Sequence, residues 1–181
     1  MKNLKNISIL MLMLNAFFFT GCKKDDDTPK PSTVTTPTSN CPTGYTGTNC
    51  NTQITPDKIR ITKITVTRHP ALDGGTSWDL TSDADIYVEL AISGTSFYTS
   101  GIYQNANSTL DYEFTNGLPL DLISPTSNYE IRLYDDDGTS ADDYMGGISF
   151  VPYSNSNGFP TTLTIDGGGT VAFNLNVSYI F

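Results

Sequence analysis

The C-terminal run Val171–Tyr179 alternates so strictly that only one element accommodates it: Val171, Phe173, Leu175, Val177 and Tyr179 recur at every second position. Side chains of a strand point to opposite faces in turn, so a period of two reads as a half-buried strand. The same alternation recurs upstream. Ile86, Val88, Leu90 and Ile92 alternate with Tyr87, Glu89 and Ala91, and Tyr129, Ile131 and Leu133 alternate with Glu130 and Arg132. Ile59 and Ile61, then Ile64 and Val66, share a strand whose phase slips once, which predicts a bulge. Further strands are expected over Phe97–Tyr103, Leu110–Phe114, Ile148–Val151 and Leu163–Ile165. Between them lie Gly, Asn, Pro and Ser clusters, among them the hairpin turn Asp166–Thr170. No stretch has helical periodicity. About eight short strands with regular turns predict an all-β antiparallel sandwich, and a unit of ~125 residues is large enough to fold alone.

Carboxylates crowd the ends of two of these strands. Asp79 and Asp85 stand in WDLTSDADIYVEL, and Asp135, Asp137 and Asp143 in LYDDDGTSADDYMGG. Such clusters repel one another unless something cationic lies among them. Calcium, which takes about six to eight oxygen ligands, is the natural partner. The competing reading is a solvated acidic turn. An EF-hand fails on register: with Asp135 and Asp137 as its third and fifth positions, Leu133 would be the first, and leucine has no side-chain oxygen.

The order Tyr134-Asp135-x-Asp137, five residues, then Asp143-Tyr144-Met145-Gly146, with Asp79 six residues before Asp85-Ile-Tyr-Val, resembles the C2 domain family. Its first calcium loop reads D-x-x-G-x-S-D-P-Y-V and its third reads aromatic-D-x-D-x5-D-[FY]-[MI]-G. The resemblance covers roughly Asp57 to Phe181 and fills all the acidic positions. Ile86 replaces the usual proline, Ser82 the glycine and Asp83 the serine, and Thr109–Phe114 stands where W-N-E-x-F is expected, without the tryptophan. The resemblance implies an eight-stranded C2-like β-sandwich over 57–181. It also implies calcium ligands from the side chains of Asp79, Asp85, Asp135, Asp137 and Asp143 and the backbone carbonyls of Trp78 and Asp136. Asp85, Asp135 and Asp137 would bridge two ions.

The N-terminus reads as a targeting device. Lys2 and Lys5 precede the apolar run Ile7–Phe19, which is short for a transmembrane helix. Phe19-Thr20-Gly21-Cys22 resembles a bacterial lipobox, with 1–21 as signal peptide and Cys22 as the lipidated residue; an ordinary secretory peptide is the alternative. Lipidating Cys22 explains the odd count of three cysteines. It leaves Cys41 and Cys50 free to form one disulfide in an oxidising compartment. Lys23-Lys24-Asp25-Asp26-Asp27 resembles the export signal of Bacteroidetes surface lipoproteins, which implies an outer-membrane lipoprotein facing outward; the alternative is a hydrophilic spacer. Residues 22–40, rich in Thr, Pro and Ser, cannot bury a core and read as an extended, disordered tether. Cys41–Cys50 (CPTGYTGTNC) resembles the last loop of an EGF-like module without its other cysteines.

The formal net charge is -9, and removing Lys2 and Lys5 with the leader makes the balance more acidic still. That argues against nucleic acid. It also argues against unassisted binding to an anionic membrane, unless calcium supplies the positive charge. The resemblance implies that bound calcium does so, docking the tip onto phospholipid or another anionic envelope component. The loop between Asp137 and Asp143 carries neither basic nor large apolar residues, however, and Phe97–Tyr103 lacks the lysines with which some C2 domains bind phosphoinositides. Trp78 is a membrane anchor, a partner contact or part of the core. An enzyme is not expected: His69 has no nucleophile motif beside it and reads as a surface loop residue, and carboxylates held on a cation make poor general acids. Two other readings remain open. One is a calcium-stabilised module for a surface protein partner; the other is a glycan-binding sandwich that uses tyrosines and Trp78 as stacking platforms.

Overall fold

Lys58–Arg68 (β3) is the strand around which one sheet assembles, and its bulge explains its sequence. Ile61 pairs with Val177 and Lys63 with Asn176, so two residues of β3 advance against one of the partner strand. The extra residue resets the phase, and Ile59, Ile61, Ile64 and Val66 all reach the core with no exposure. The computed structural model describes residues 41–79 and 82–181. The expected signal peptide, Cys22 and the tether to residue 40 lie outside the described residues.

The other strands are β1 (Tyr45–Thr46), β2 (Thr52–Gln53), β4 (Ala84–Ile92), β5 (Thr95–Thr99), β6 (Tyr103–Ala106), β7 (Tyr112–Phe114), β8 (Leu120–Leu122), β9 (Tyr129–Asp135), β10 (Asp143–Phe150), β11 (Thr162–Asp166) and β12 (Ala172–Ile180). One sheet runs β10-β9-β4-β5 with β6 also on β4; the other runs β11-β12-β3-β7 with β8 also on β3. Every pairing is antiparallel. β5 and β6 share one edge of β4, and β7 and β8 share one edge of β3, so ten strands fill eight positions. The fold is an all-β, C2-like antiparallel sandwich, as the alternation and the family resemblance imply. Its core is the pair of inner faces, with Phe173, Leu175, Ile86, Val88, Leu90, Ile131 and Leu133 fully buried between them.

The structure corrects several expected boundaries. Phe97–Tyr103 is not one strand: Ser100 still exchanges hydrogen bonds with Val88, through both its backbone N–H and its hydroxyl, and the chain then turns before β6 resumes on β4. Leu110 is exposed in a turn, and only Tyr112–Phe114 pairs. β10 begins well before Ile148, at Asp143, with a bulge between Tyr144 and Gly146. β8 went unforeseen because it is three residues long. His69 does follow the end of β3, but it is buried rather than a surface residue, packed edge-on against Tyr112.

The two ends of the sandwich differ in chemistry. β4 starts, β9 ends and β10 starts at one end, where Ile86 pairs with Asp135 and Asp135 with Asp143. At the other end, Asp57 N–H bonds to the Ile180 carbonyl, and the small β1-β2 ribbon, closed by the Cys41–Cys50 disulfide, packs on Phe159. Phe173 sits at the centre of the core without exposure. Phe173→Ala is therefore expected to cost about 3–5 kcal/mol, measured as a lowered urea midpoint at unchanged slope.

Candidate metal site

Period-two geometry places a carboxylate where a hydrophobe would otherwise stand. Ile131 and Leu133 of β9 face the core, so Asp135 faces inward too, at the strand's last position, and it is completely buried. Its Oδ1 accepts the Asp85 backbone N–H at 2.6 Å. Its Oδ2 is buried and has no hydrogen-bond partner. A buried, unsatisfied charged oxygen is costly, so its neighbourhood decides what it does.

Those neighbours are acidic. Asp79 and Asp137 each present a carboxylate oxygen so that the three ligand atoms, with that of Asp135, lie within 4.8 Å of one another. Asp137 follows Asp135 by two residues, and the chain then turns through Gly138, whose φ of +61 favours glycine; Thr139 N–H closes the turn onto the Asp137 carbonyl at 2.5 Å. Asp79 is braced by the Ser82 hydroxyl, which donates to its Oδ2 at 2.9 Å. Among the described residues, no lysine, arginine or histidine bridges to any of the three, the ion pairs being those of Lys58, Arg60, Lys63, Arg68 and Arg132 with other acids.

Electrostatics registers the crowding. Burial pushes the Asp135 carboxyl up to about 6; the Asp85 N–H bond offsets part of this, and the charges of Asp79, Asp137 and Asp85 add to it. Asp137 is raised as well, by desolvation first and then by Asp143, Asp79, Asp142 and Asp136. The donor set is all hard oxygen, the kind that suits calcium rather than a soft metal. Three convergent carboxylates, one with an orphaned buried oxygen, fit a divalent cation.

The remaining sequence-predicted residues are placed differently. Asp85 is outside the trio: its Oδ1 accepts Asn105 N–H at 2.7 Å and its carbonyl accepts Asp136 N–H at 2.8 Å, so it ties β4 to β6 and to the residue after β9. Asp143, exposed, lies across from Asp135 in the β9–β10 register and acts on Asp137 through its charge. Trp78 rests against the core, with its indole N–H donating to the Pro70 carbonyl at 3.0 Å. Its carbonyl and that of Asp136, the two implied backbone ligands, adjoin Asp79 and lie between Asp135 and Asp137 in the chain. Sequence reasoning missed three supporting residues. Ser82, three positions after Asp79, was legible as a side-chain bracing turn. Asn105 at φ 55 and Asp142, which accepts the Tyr87 hydroxyl at 2.7 Å, carried no sequence signal. His69 has no serine or cysteine among its hydrogen-bond partners in the described residues, its Nδ1 lying 3.4 Å from the Pro70 carbonyl.

No protein-family model matches this sequence, and no curated protein does. Solved structures do resemble it. Human GIVD cytosolic phospholipase A2, in complex with methyl gamma-linolenyl fluorophosphonate inhibitor and terbium chloride, aligns at TM-score 0.44 and 20% identity, over 69% of this chain but only 18% of that one. A C2 domain structure aligns at 0.45 and 18%, over 67% of this chain and 97% of its own. A C2 domain protein from Ramazzottius varieornatus aligns at 0.46 and 15%, over 70% and 92%.

The buried acid predicts an unusual pH response. An unfolded aspartate titrates near ~3.9, whereas Asp135 in the folded chain titrates at about 6. The fold therefore binds this proton more tightly than the unfolded chain does. The resulting stability is fully present below the unfolded value and is lost as pH rises through about 6. Asp121 and Asp166, held low by Arg60 with Lys58 and by Arg68 respectively, act oppositely, and only as pH falls toward the unfolded range. His69, whose imidazole is held low by burial, opposes Asp135 over the same window. The Asp135 contribution is therefore read against a variant: in chelator it is expected to raise the melting temperature at about pH 5 relative to that at about pH 7. Asp135→Asn, which keeps an acceptor for Asp85 N–H, should flatten that difference and raise the neutral-pH value.

Proposed function

We propose that this chain is a calcium-binding, C2-like surface module that uses the ion to dock onto a phosphate-bearing surface, phospholipid or another anionic envelope component. The observation that carries the reading is the convergence of Asp79, Asp135 and Asp137, with Asp135 Oδ2 buried and unpartnered and, among the described residues, no cationic side chain paired with any of the three. Asp79, Asp135 and Asp137 would hold the ion, with Asp85, Asp143 and the carbonyls of Trp78 and Asp136 as the further ligands that the C2 resemblance implies. Bound calcium would supply the positive charge that an acidic tip lacks and a phosphate requires.

The attachment belongs to the same reading. A leader over 1–21, a lipid on Cys22 and a tether to residue 40 would place the domain on the outer face of an outer membrane. The motifs quoted above support this. The sandwich (57–181) with its disulfide loop (41–50) would then be the displayed part. A calcium-stabilised module for a protein partner uses the same site, without the lipid.

The glycan reading has less support. Tyr87 and Tyr134 stack on each other, with centroids 5.3 Å apart and planes 13° from parallel, so each ring turns a face to its neighbour rather than outward. Trp78 is engaged with Pro70 and the core.

Calorimetric titration of the full chain with calcium tests the site. Saturable heat is expected in the wild type, weakened about tenfold or more, roughly 1.4 kcal/mol, in Asp137→Asn. Calcium at ~100 times its dissociation constant should add about 2.7 kcal/mol of stability. Absence of both effects at millimolar calcium would refute the metal site. Calcium-dependent sedimentation with phosphatidylserine vesicles, reversed by chelator, tests the docking step separately. Binding of calcium without sedimentation would leave the protein-partner module.

A further inference from the structure

The Cys41–Cys50 loop is packed onto the sandwich rather than displayed beside it. Gly44 is buried, and its bare α-carbon lies against two aromatic rings. A β-carbon there would stand 2.6 Å from the Phe159 ring and 2.7 Å from the Phe181 ring, and the glycine's φ of +87 already disfavours any side chain. Tyr45 meets Phe159 edge-on, with centroids 5.4 Å apart. Phe159 is a hub that also stacks on Tyr153 and meets Tyr179 and Phe181 edge-on.

Hydrogen bonds secure the loop on both sides of this hub. Ile54 N–H donates to the Gly44 carbonyl at 2.8 Å, and the Tyr153 hydroxyl donates to Gln53 Oε1 at 3.3 Å. Asp57 N–H then reaches the Ile180 carbonyl at 2.7 Å, and the Tyr179 hydroxyl donates to the Pro160 carbonyl. The loop therefore presses segment 153–160 and the end of β12 together, at the end of the sandwich away from the acidic loops.

The loop cannot hold this shape unaided. Its ribbon is two residues per strand, far below what an isolated hairpin needs. The disulfide is what limits the loop to conformations that set Gly44 against the rings. We propose that the Cys41–Cys50 loop is a strap over the aromatic base of the sandwich, shut by its disulfide and opened by dithiol reductants. In the opening step a dithiol thiolate attacks one cystine sulfur and expels the other as thiolate. The dithiol's second sulfur then displaces the chain. The products are two cysteine thiols on the chain and one cyclic disulfide, a transfer of two electrons. Opening releases Phe181, beyond the end of β12, and uncovers Phe159 while the sheets, including the β3–β12 pairing, persist.

Hydrogen exchange by mass spectrometry on the full chain, with and without dithiothreitol, tests the strap. Reduction is expected to speed exchange about tenfold or more in 54–57 and 153–159 and to leave β4, β9 and β12 protected. Cys41→Ser/Cys50→Ser should reproduce this without reductant. Gly44→Val, with the disulfide intact, should do the same, because its side chain strikes the rings. Three outcomes would overturn the proposal: acceleration confined to 41–53, a Gly44→Val chain that exchanges like the wild type, or loss of protection throughout β4 and β9, which would make the disulfide a support of the whole fold.

Discussion

The burial of one carboxylate governs the acidic end of this molecule. Asp135 is carried inward by the alternation that buries Ile131 and Leu133, and the strand cannot turn it outward without exposing them. One of its oxygens is satisfied by the Asp85 N–H, and the other is buried without a partner, in a carboxylate that converges with Asp79 and Asp137. Everything nearby follows from accommodating that charge. β9 ends there, the chain turns at Gly138, and Ser82 steadies Asp79. The charge stays in place because the sheet is more expensive to break than the carboxylate is to bury.

The same alternation made the fold legible in the sequence. Residues such as Phe173 and Val88 announce a face because every second neighbour agrees with them, and the phase slip between Ile61 and Ile64 announced its bulge. What stayed hidden was whatever lacks a repeat. β8 is too short to show a period, and the interruption after Ser100 depends on its hydroxyl reaching Val88 N–H, a contact between strands that no local pattern encodes. His69 reads as a loop residue beside a proline, yet the aromatic ring of Tyr112 comes from a distant segment to cover it.

At the site, the sequence showed which residues are acidic and how they are spaced. It did not show how they divide the work. Asp79, Asp135 and Asp137 converge, whereas Asp85, indistinguishable from them by spacing, spends its carboxylate on Asn105 N–H. The difference arises from direction. Asp135 stands opposite Ile86 on the neighbouring strand, one residue beyond Asp85, so Asp135 shares the inward face of Ile86 while Asp85 points to the other face.

Asp85 has a further consequence. Its N–H holds Asp135, its carbonyl holds Asp136, and its carboxylate holds Asn105. One residue at the start of β4 therefore ties together β6, the last residue of β9 and the residue that follows it. A displacement of one of these segments is therefore passed to the others through a single backbone position.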